Sequence, residues 1–447
     1  MRSDPVRVGV LSLHNSKETK AILNAVEALG HQPEWIREEN LAISIEDGEV
    51  SIEPDVDVVL NRLLLSNTEE PCEGLGLINV FDDLVPVLNQ PEDVLTAIHK
   101  FATATSLASE DLRVPDALLA LDANRLNDGR DAFGEEAVFK TSIGTHGGGT
   151  WKVGPGEQVN PKVGERYAFL QDLIENKKDG NEDLRVYVVD GQIIGAMRRT
   201  APENDWRTNV ALGGDVEDVT DSLPEEAADA AVRATRAVGL DYSGVDLVEG
   251  TDGWYVLEVN PTAGFKGLFK ATGISPAPYI AKVGIEAAGA TVPDEEVEHL
   301  AGHLDDSTPA SMPRKLTERR DEVRVIGYTD EVLVSGTSGT ERVVAKSDTG
   351  ASRTSIDTKL AAQIGAGPIK SMTRVKSGSL KSGKARPVVD LVVGIGGDRH
   401  TVSASLEDRG HMDYPLLLGR DILQHYQVDV RRRYDEETEN DEEEEEE

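Results

Sequence analysis

The 447-residue sequence has little cysteine, few basic side chains and no long apolar run. Its one cysteine, Cys72, cannot form an internal disulfide, and no group of Cys and His residues has the spacing of a zinc site. No apolar run reaches the roughly 18 residues of a transmembrane helix, and the first residues enter a strand pattern without a signal-peptide core. These absences predict a cytoplasmic protein with no membrane partner.

Basic residues are outnumbered by acidic ones, 46 to 82, which gives a formal net charge of -36. The excess is spread along the chain and is not confined to the glutamate run at its C-terminus. Phosphate backbones require clustered Lys and Arg, so this charge excludes general nucleic-acid affinity. An acidic, lysine-poor surface is typical of halophilic cytoplasm, and we favour that interpretation over a site for a charged partner.

The length predicts about three folding units. Residues 1–95 alternate buried strands and helices, which predicts a small α/β domain with a parallel sheet. In this part, Pro91 is expected to begin a helix that carries Lys100. The alternation continues through residues 96–290, which contain most of the candidate chemistry.

The second half of the chain changes character twice. Residues 291–322 are rich in Asp, Glu, Ser, Pro and Arg with little apolar periodicity, which predicts a linker. Residues 323–434 form short Val- and Leu-rich segments separated by glycine turns, which predicts an all-β domain. Residues 435–447 are expected to be a disordered acidic tail.

A glycine-rich segment follows a predicted strand that ends in lysine. Residues 137–140 read AVFK, and residues 141–150 read TSIGTHGGGT. Glycines allow backbone N–H groups to approach phosphate oxygens, and Lys140 could neutralise the phosphate charge. Alone this signal is weak, because a glycine-rich surface loop usually has no ligand.

A predicted hairpin over residues 242–260 provides stronger evidence. With a turn centred on Asp252, Asp246 lies opposite Glu258, and Asn260 projects from the same face as Glu258. Two carboxylates and an amide on one face of a strand pair favour a hard cation, Mg²⁺ or Mn²⁺, carrying ATP phosphates. The alternative is a solvated polar face, which the adjacent glycine loop makes less attractive.

At these residues the sequence resembles the RimK-type ATP-grasp ligases, over roughly residues 1–290. The resemblance implies an ATP-grasp fold, α/β and α+β, behind an N-terminal α/β domain. It implies that Lys100 and Lys140 hold ATP phosphates and that the backbone at Asp172 and Leu173 pairs with adenine. The remaining nucleotide-binding positions implied are Gly144, His146, Gly147, Gly148 and Asp183.

The same resemblance places several cations around the transferred phosphate. The catalytic positions that it implies in this part are Arg198, Arg199, Arg207 and Asn209. In so acidic a chain a group of arginines favours a functional role, and the alternative is that each pairs with a surface carboxylate.

The implied reaction begins when a substrate carboxylate attacks the γ-phosphate of ATP and forms an acylphosphate. An amine then displaces phosphate and forms an amide. In the family the acid is often glutamate, added to a protein C-terminus, a small molecule or a carrier protein. The sequence does not choose among these acceptors.

The all-β region has a second motif. Asp348, Thr349 and Gly350 follow an apolar run, and the segment 414–421, YPLLLGRD, comes about 70 residues later. A lone Asp-Thr-Gly is often an ordinary turn, but the pair resembles retropepsin-like (RimB-like) aspartic proteases. That chemistry requires two carboxylates sharing a proton, so catalysis by Asp348 implies a homodimer.

Three hypotheses follow. The first is a ligase, and the second is a dimeric aspartic peptidase whose ATP-grasp part senses nucleotide. The third, an inert scaffold, predicts the loss of a metal ligand, and none is missing. The six final glutamates, 442–447, are interpreted as a solvated tail, with self-modification or substrate mimicry as the alternative.

Overall fold

The computed structural model describes residues 4–68, 71–144, 149–174, 181–201, 208, 215–310, 324–375 and 384–434. The chain divides into two compact units, residues 1–315 and residues 316–447. In these described ranges no helix has both the length and the apolar character needed to cross a membrane.

The described helices of the first unit are α1 Lys17–Ala28, α2 Pro71–Asp82, α3 Pro91–Ile98, α4 Lys100–Ser109, α5 Ala123–Asp128, α6 Glu225–Val238, α7 Lys266–Thr272, α8 Ala277–Ala287 and α9 Asp294–Ala301. Its described strands are β1 Arg7–Leu11, β2 Gln32–Ile36, β3 Ala42–Glu46, β4 Glu49–Glu53, β5 Val58–Asn61, β6 Val87–Leu88, β7 Ala117–Leu118, β8 Ala137–Thr141, β9 Thr150–Val153, β10 Lys162–Val163, β11 Arg166–Asp172, β12 Glu182–Val189, β13 Gln192–Thr200, β14 Asp215–Asp218, β15 Tyr242–Gly250 and β16 Gly253–Asn260.

The first unit begins with the predicted parallel sheet, in the order β2-β1-β5-β6. The central strands β1 and β5 are largely apolar and buried, as in a sheet covered by helices. Helix α1, whose Ile22, Leu23 and Val26 are buried, packs against α8. Side chains of β5 and α8 share one core, which fixes the carboxyl end of β5 beside the rest of the unit.

Besides the two-stranded β3-β4 sheet, this unit contains two larger antiparallel sheets. The smaller has the order β10-β11-β8-β9, with β7 beside β11, and the larger has the order β14-β13-β12-β15-β16. Helix α6 packs on β15 and β16 with its alanine-rich face, and α7 packs on β13 and β14. Loops and strand ends from the parallel sheet and from these two larger antiparallel sheets surround one cleft.

Two predicted elements differ from the structure. The helix that begins at Pro91 ends at Ile98, and Lys100 begins a separate helix, α4. The break occurs at His99, whose backbone is extended and whose ring Nδ1 accepts a hydrogen bond from Ala102 N at 3.1 Å, as an N-cap does. Residues 291–322 were expected to be a linker, but they contain α9, because Val297 and Ala301 are buried against the preceding helix.

In the second unit the described strands are β17 Val325–Ser335, β18 Thr340–Ser347, β19 Ser355–Asp357, β20 Ile369–Val375, β21 Lys384–Ile395, β22 Asp398–Glu407, β23 Leu416–Leu418 and β24 Gln427–Arg433, with helices α10 Thr358–Ile364 and α11 Arg420–Leu423. The eight strands follow the order β20-β21-β22-β19-β23-β18-β17-β24, and the pairing of β17 with β21 closes the sheet. The predicted β-rich fold is confirmed, with a core of Val, Leu and Ile side chains inside the closed sheet.

Candidate active site

A cleft of about 430 Å³ lies among the sheets of the first unit. Its described lining includes most of the residues that the sequence singled out. The predicted positions brought together here are Lys100, Lys140, Gly144, Asp172, Leu173, Asp183, Arg199, Asp246, Glu258 and Asn260. The structure therefore brings together side chains from α4, β8, β11, β12, β13, β15 and β16.

The β15–β16 hairpin sets the oxygen donors in register. Its connection is two residues long, Thr251 and Asp252, because Gly250 pairs with Gly253. This turn alone would place Asp246 opposite Leu257. A one-residue irregularity beyond Leu247 restores the predicted pairing of Asp246 with Glu258.

Buried ion pairs hold the carboxylates of β12 and β15. Arg185 forms a two-pronged pair with Asp246, with both N···O distances 2.6 Å, and Arg199 pairs in the same way with Asp183 at 2.6 Å. Arg199 also lies 3.0 Å from Asp246, so the two pairs are continuous. Burial raises the pKa of Asp246, but Arg185 and Arg199 outweigh this effect and lower the pKa to about 2. Asp246 is thus an anion at any physiological pH.

Two lysines line the same cleft. Lys100 Nζ lies 2.5 Å from Glu258 Oε1, and the backbone N–H of Lys100 donates to Ser142 O at 2.8 Å, which joins the start of α4 to the end of β8. Lys140, in β8, is almost fully buried. Burial, followed by the charge of Lys100, lowers the pKa of Lys140 to about 8.

An apolar slot adjoins the lysines. It is lined by Val138, Leu173, Ile174, Val248 and Leu257. The backbone of residues 171–173 runs along its edge, where β11 ends. Asp172 N donates to Asp116 O at 2.8 Å, which anchors this edge. An apolar slot beside a backbone segment suits a heteroaromatic ring.

Part of the predicted site lies elsewhere or outside the described residues. Successive strand residues face opposite sides, so Arg199 enters the cleft, whereas Arg198 pairs with Glu217 at 2.6 Å and Glu182 at 3.5 Å. The catalytic role expected of Arg198 gains no support from this position. The predicted residues outside the described ranges are His146, Gly147, Gly148, Arg207 and Asn209.

Sequence reasoning missed several cleft residues. Arg185 is two residues after Asp183 on β12 and therefore faces the same side, a signal that the strand pattern already contained. His14, Glu18 and Arg62 come from loops and helix starts beside the N-terminal sheet. Only the fold brings these three to the cleft, since they are remote in sequence from the other site residues.

The donor set fits a hard cation. Glu258 and Asn260 project side by side. The amide nitrogen of Asn260 donates to Glu258 Oε1 at 3.3 Å, and its amide oxygen accepts from Arg185 Nη2 at 3.3 Å. In the described residues no three His, Cys, Asp or Glu side chains form a metal-binding group, so a Mg²⁺ ion would need the Asn260 oxygen beside Asp246 and Glu258. Such an ion would compete with Lys100 and Arg185 for the carboxylates.

The Asp-Thr-Gly motif forms a turn in the second unit. Strand β18 runs parallel to β23, and Asp348 N donates to Leu418 O at 2.9 Å while its Oδ1 accepts from Gly350 N at 2.9 Å. Beneath this turn, Thr354 Oγ1 donates to Asp421 at 2.8 Å. A Cβ on Gly419 would lie 2.4 Å from the Arg353 carbonyl carbon, so glycine permits this close approach. The second motif therefore supports the first, as expected from the sequence.

Comparison with known proteins places both units. Residues 97–283 match the RimK-like ATP-grasp domain, and residues 358–439 match the RimB-like domain, a retropepsin-like aspartic endopeptidase. The second match begins at residue 358, so it does not include Asp348.

Two curated relatives and one solved structure illustrate the similarity. The tetrahydromethanopterin:alpha-L-glutamate ligase of Methanocaldococcus jannaschii is 34% identical, over 44% of this chain and 70% of the relative. A probable alpha-L-glutamate ligase 2 of Shewanella amazonensis is 30% identical, over 62% of this chain and 96% of its own. The ATP-grasp ligase PsnB, solved with a phosphomimetic precursor variant, Mg and ADP, is 20% identical with a TM-score of 0.51, over 63% of this chain and 98% of its own; it supports the fold alone.

Fold, cleft and relatives together define an ATP-grasp ligase. The chain belongs to the RimK-like family of ATP-grasp ligases, and it carries a RimB-like, retropepsin-like domain after the ligase part.

Proposed function

We propose that this chain joins glutamate to a second substrate in an ATP-dependent carboxylate-amine ligation. The observation that carries the proposal is the juxtaposition, in one cleft, of the oxygen donors Asp246, Glu258 and Asn260 with the cations Lys100 and Lys140. The alpha-L-glutamate ligases among its relatives support glutamate as one substrate.

The reaction divides into two transfers. A carboxylate oxygen attacks the γ-phosphorus of ATP, the bond to the β-γ bridging oxygen breaks, and ADP leaves. An amine nitrogen then attacks the acyl carbon, phosphate leaves, and the nitrogen loses a proton. Lys100 and Lys140 would hold the phosphates, and Arg199 would face the transferred group. A Mg²⁺ or Mn²⁺ ion at Asp246, Glu258 and Asn260 would neutralise phosphate charge.

The nature of the second substrate decides whether glutamate supplies the carboxylate or the amine of the new amide. An acceptor that offers an amine leaves glutamate as the phosphorylated acid. A protein C-terminus, named in the sequence-based prediction as an amine acceptor, offers a carboxylate instead. With that substrate the C-terminus would be phosphorylated, and the amine of glutamate would displace phosphate.

The direct test is release of ADP by the purified full chain in high salt with Mg²⁺ and glutamate. Acceptors would be a peptide copying residues 435–447, other peptides ending in glutamate, and a fractionated cell extract. Mass spectrometry then identifies products that have gained a glutamyl residue. Nucleotide binding without acceptor-dependent ADP release under any of these conditions would contradict the proposal.

The variant that tests the site is Glu258→Gln. It keeps the shape of the side chain but removes the charge that Lys100 contacts, so we expect ADP release to fall at least ~100-fold. Glu46→Gln, at an exposed position of β3, is the matched control and should retain full activity. Equal activity of Glu258→Gln and the control would show that Glu258 does not take part in the reaction.

A second candidate function is aspartic peptidase activity of the C-terminal unit, acting as a homodimer. The observation that favours it is the turn at Asp348, whose carboxylate is positioned by Gly350 N–H over the supporting Thr354–Asp421 hydrogen bond. A ligase and a peptidase on one chain could add and remove the same residue.

A further inference from the structure

Arg62 is a cleft residue that the proposed chemistry does not use. It follows β5, and it is only 4% exposed. Its Nε has no hydrogen-bond partner within the described structure, and its Nη2 reaches the Thr262 carbonyl only at 3.5 Å. The guanidinium lies over the Phe265 ring, 5.3 Å from its centroid.

The other arginines of the cleft are differently placed. Arg185 and Arg199 form two-pronged pairs with Asp246 and Asp183, whereas no described carboxylate lies within ion-pair distance of Arg62. A buried guanidinium without its full set of acceptors is costly, so a site of this kind is completed by a ligand anion. Burial also lowers the pKa of Arg62, which reflects the same lack of compensation.

The position of Arg62 indicates which part of a ligand it would meet. Thr262 is two residues beyond Asn260, so the guanidinium lies beside the segment that continues from the proposed metal and phosphate ligands. Leu173 and Ile174, on the other side of the proposed nucleotide site, follow β11, which belongs to a different sheet. Phosphate already has Lys100 and Lys140, which leaves Arg62 for an anion of the second kind of substrate.

Glu18 adds a charge of opposite sign to this region. It lines the cleft, and its Oε1 accepts a hydrogen bond from Phe265 N at 3.3 Å, so it shares a neighbour with Arg62. A cation and an anion set this way match an amino acid, which carries both a carboxylate and an amine.

We propose that Arg62 binds the non-reacting carboxylate of glutamate and thereby selects an acidic amino acid as substrate. The inference rests on the proposed ligase function. A planar guanidinium can contact both oxygens of a carboxylate, which a lysine at this position could not do.

The test compares the KM for glutamate in the wild-type chain with that in Arg62→Met and Arg62→Lys, measured as acceptor-dependent ADP release. We expect Arg62→Met to raise this KM about 10- to 100-fold, the range for a lost charge-assisted pair, with nucleotide affinity unchanged. Arg62→Lys should lie between. Arg7→Met, which removes a surface arginine paired with Asp55, is the control and should leave the KM unchanged.

Substrate analogues provide a second measurement, and its wild-type part does not depend on the folding of the methionine variant. Glutamine and glutamate α-amide each lack one carboxylate. In the wild-type chain the analogue that lacks the contacted group should show the same rise in KM, and in Arg62→Met its KM should equal that of glutamate. The rise in the wild-type chain identifies the contacted carboxylate, and the equality in Arg62→Met assigns that contact to Arg62.

The outcomes separate the two proposals. If the wild-type chain releases ADP with glutamate and Arg62→Met keeps the wild-type KM for glutamate, the Arg62 inference is wrong and the ligase stands. A rise confined to the KM of the acceptor also overturns it, because the carboxylate then belongs to the acceptor. If the wild-type chain shows no ligation, the proposed function itself fails.

Discussion

Lys140 is a buried amine whose protonation changes within the working pH range. Its side chain lies near the end of β8, with the amine over the Phe169 ring and Lys100 as a neighbouring cation. Burial and then Lys100 lower its pKa to about 8. Below that pH the amine is charged and attracts phosphate; above it the neutral form has to be protonated before the phosphate charge is compensated.

Nucleotide affinity should therefore depend on pH through Lys140. As pH rises above about 8, the folded chain binds ATP with uptake of a proton, and Kd should increase by up to about tenfold per pH unit. Lys140→Arg, whose side chain stays charged, should abolish this slope between pH 7.5 and 9.5. Calorimetric titrations in buffers of different ionisation enthalpy measure both quantities; a flat profile in the wild-type chain would be contrary to this expectation.

At this scale the sequence identified residues whose type is rare and whose spacing is informative. Asp246, Glu258 and Asn260 could be placed together because strand geometry relates them directly. Arg198 and Arg199 could not be distinguished, because choosing between the two faces of β13 requires knowing which face the cleft occupies. Arg62 could not be found, because its surroundings include Thr262 and Phe265, which are about 200 residues away in sequence.

In single helices and strands, local sequence predicts some features, and others depend on packing. The hairpin β15–β16 was predicted from alternating residues and an Asp-Gly turn, and its central pairing is confirmed. The irregularity that produces this pairing has no clear sequence signal, since it compensates for a turn centred between Thr251 and Asp252 instead of on Asp252. The break between α3 and α4 was missed because His99 is not among the usual N-cap residues.

The turn between β18 and β19 contains the second candidate chemistry. If its Asp348 carboxylate activates water, the full chain should release glutamate from peptides that end in several glutamates, and Asp348→Asn should lose this at least ~1000-fold. Activity per chain should also fall on dilution, because two copies are needed for two carboxylates. Hydrolysis that persists in Asp348→Asn would assign the activity elsewhere, whereas ADP release should be the same in both chains.

For the whole molecule, the dominant quantity is its charge of -36. Like charges on a folded surface repel one another more strongly than in the expanded unfolded chain, and salt screens that repulsion. The halophile interpretation remains a prediction from composition. It concerns stability, and a measurement of unfolding tests it without reference to catalysis.

We expect the midpoint of thermal unfolding to rise when KCl is increased from 0.2 M to 2 M. The rise should correspond to an increase of ~2 kcal/mol or more in the free energy of unfolding. Replacing KCl by an uncharged osmolyte of equal osmolality is the control for solvent exclusion, and it should give a smaller rise. A midpoint that is constant or falls with KCl would refute the charge-screening interpretation.

The large-scale organisation was accessible from composition, because each unit has its own apolar periodicity and residues between them are polar. The ATP-grasp fold and the strand-rich second unit are confirmed. The sequence-based boundaries stay predictions, and α9 shows why they are hard to set: two buried side chains, Val297 and Ala301, suffice to fold an acidic segment onto its neighbour.

The ion pairs of the cleft have a consequence for how nucleotide and metal bind. Lys100 and Glu258 neutralise each other, as do Arg185 and Asp246, so neither pair by itself presents a net charge to ATP or to a metal ion alone. A nucleotide that arrives with its cation supplies both signs at once, and each protein charge exchanges one partner for another without ever being left bare. The ligase would therefore take up its nucleotide and metal as a single complex.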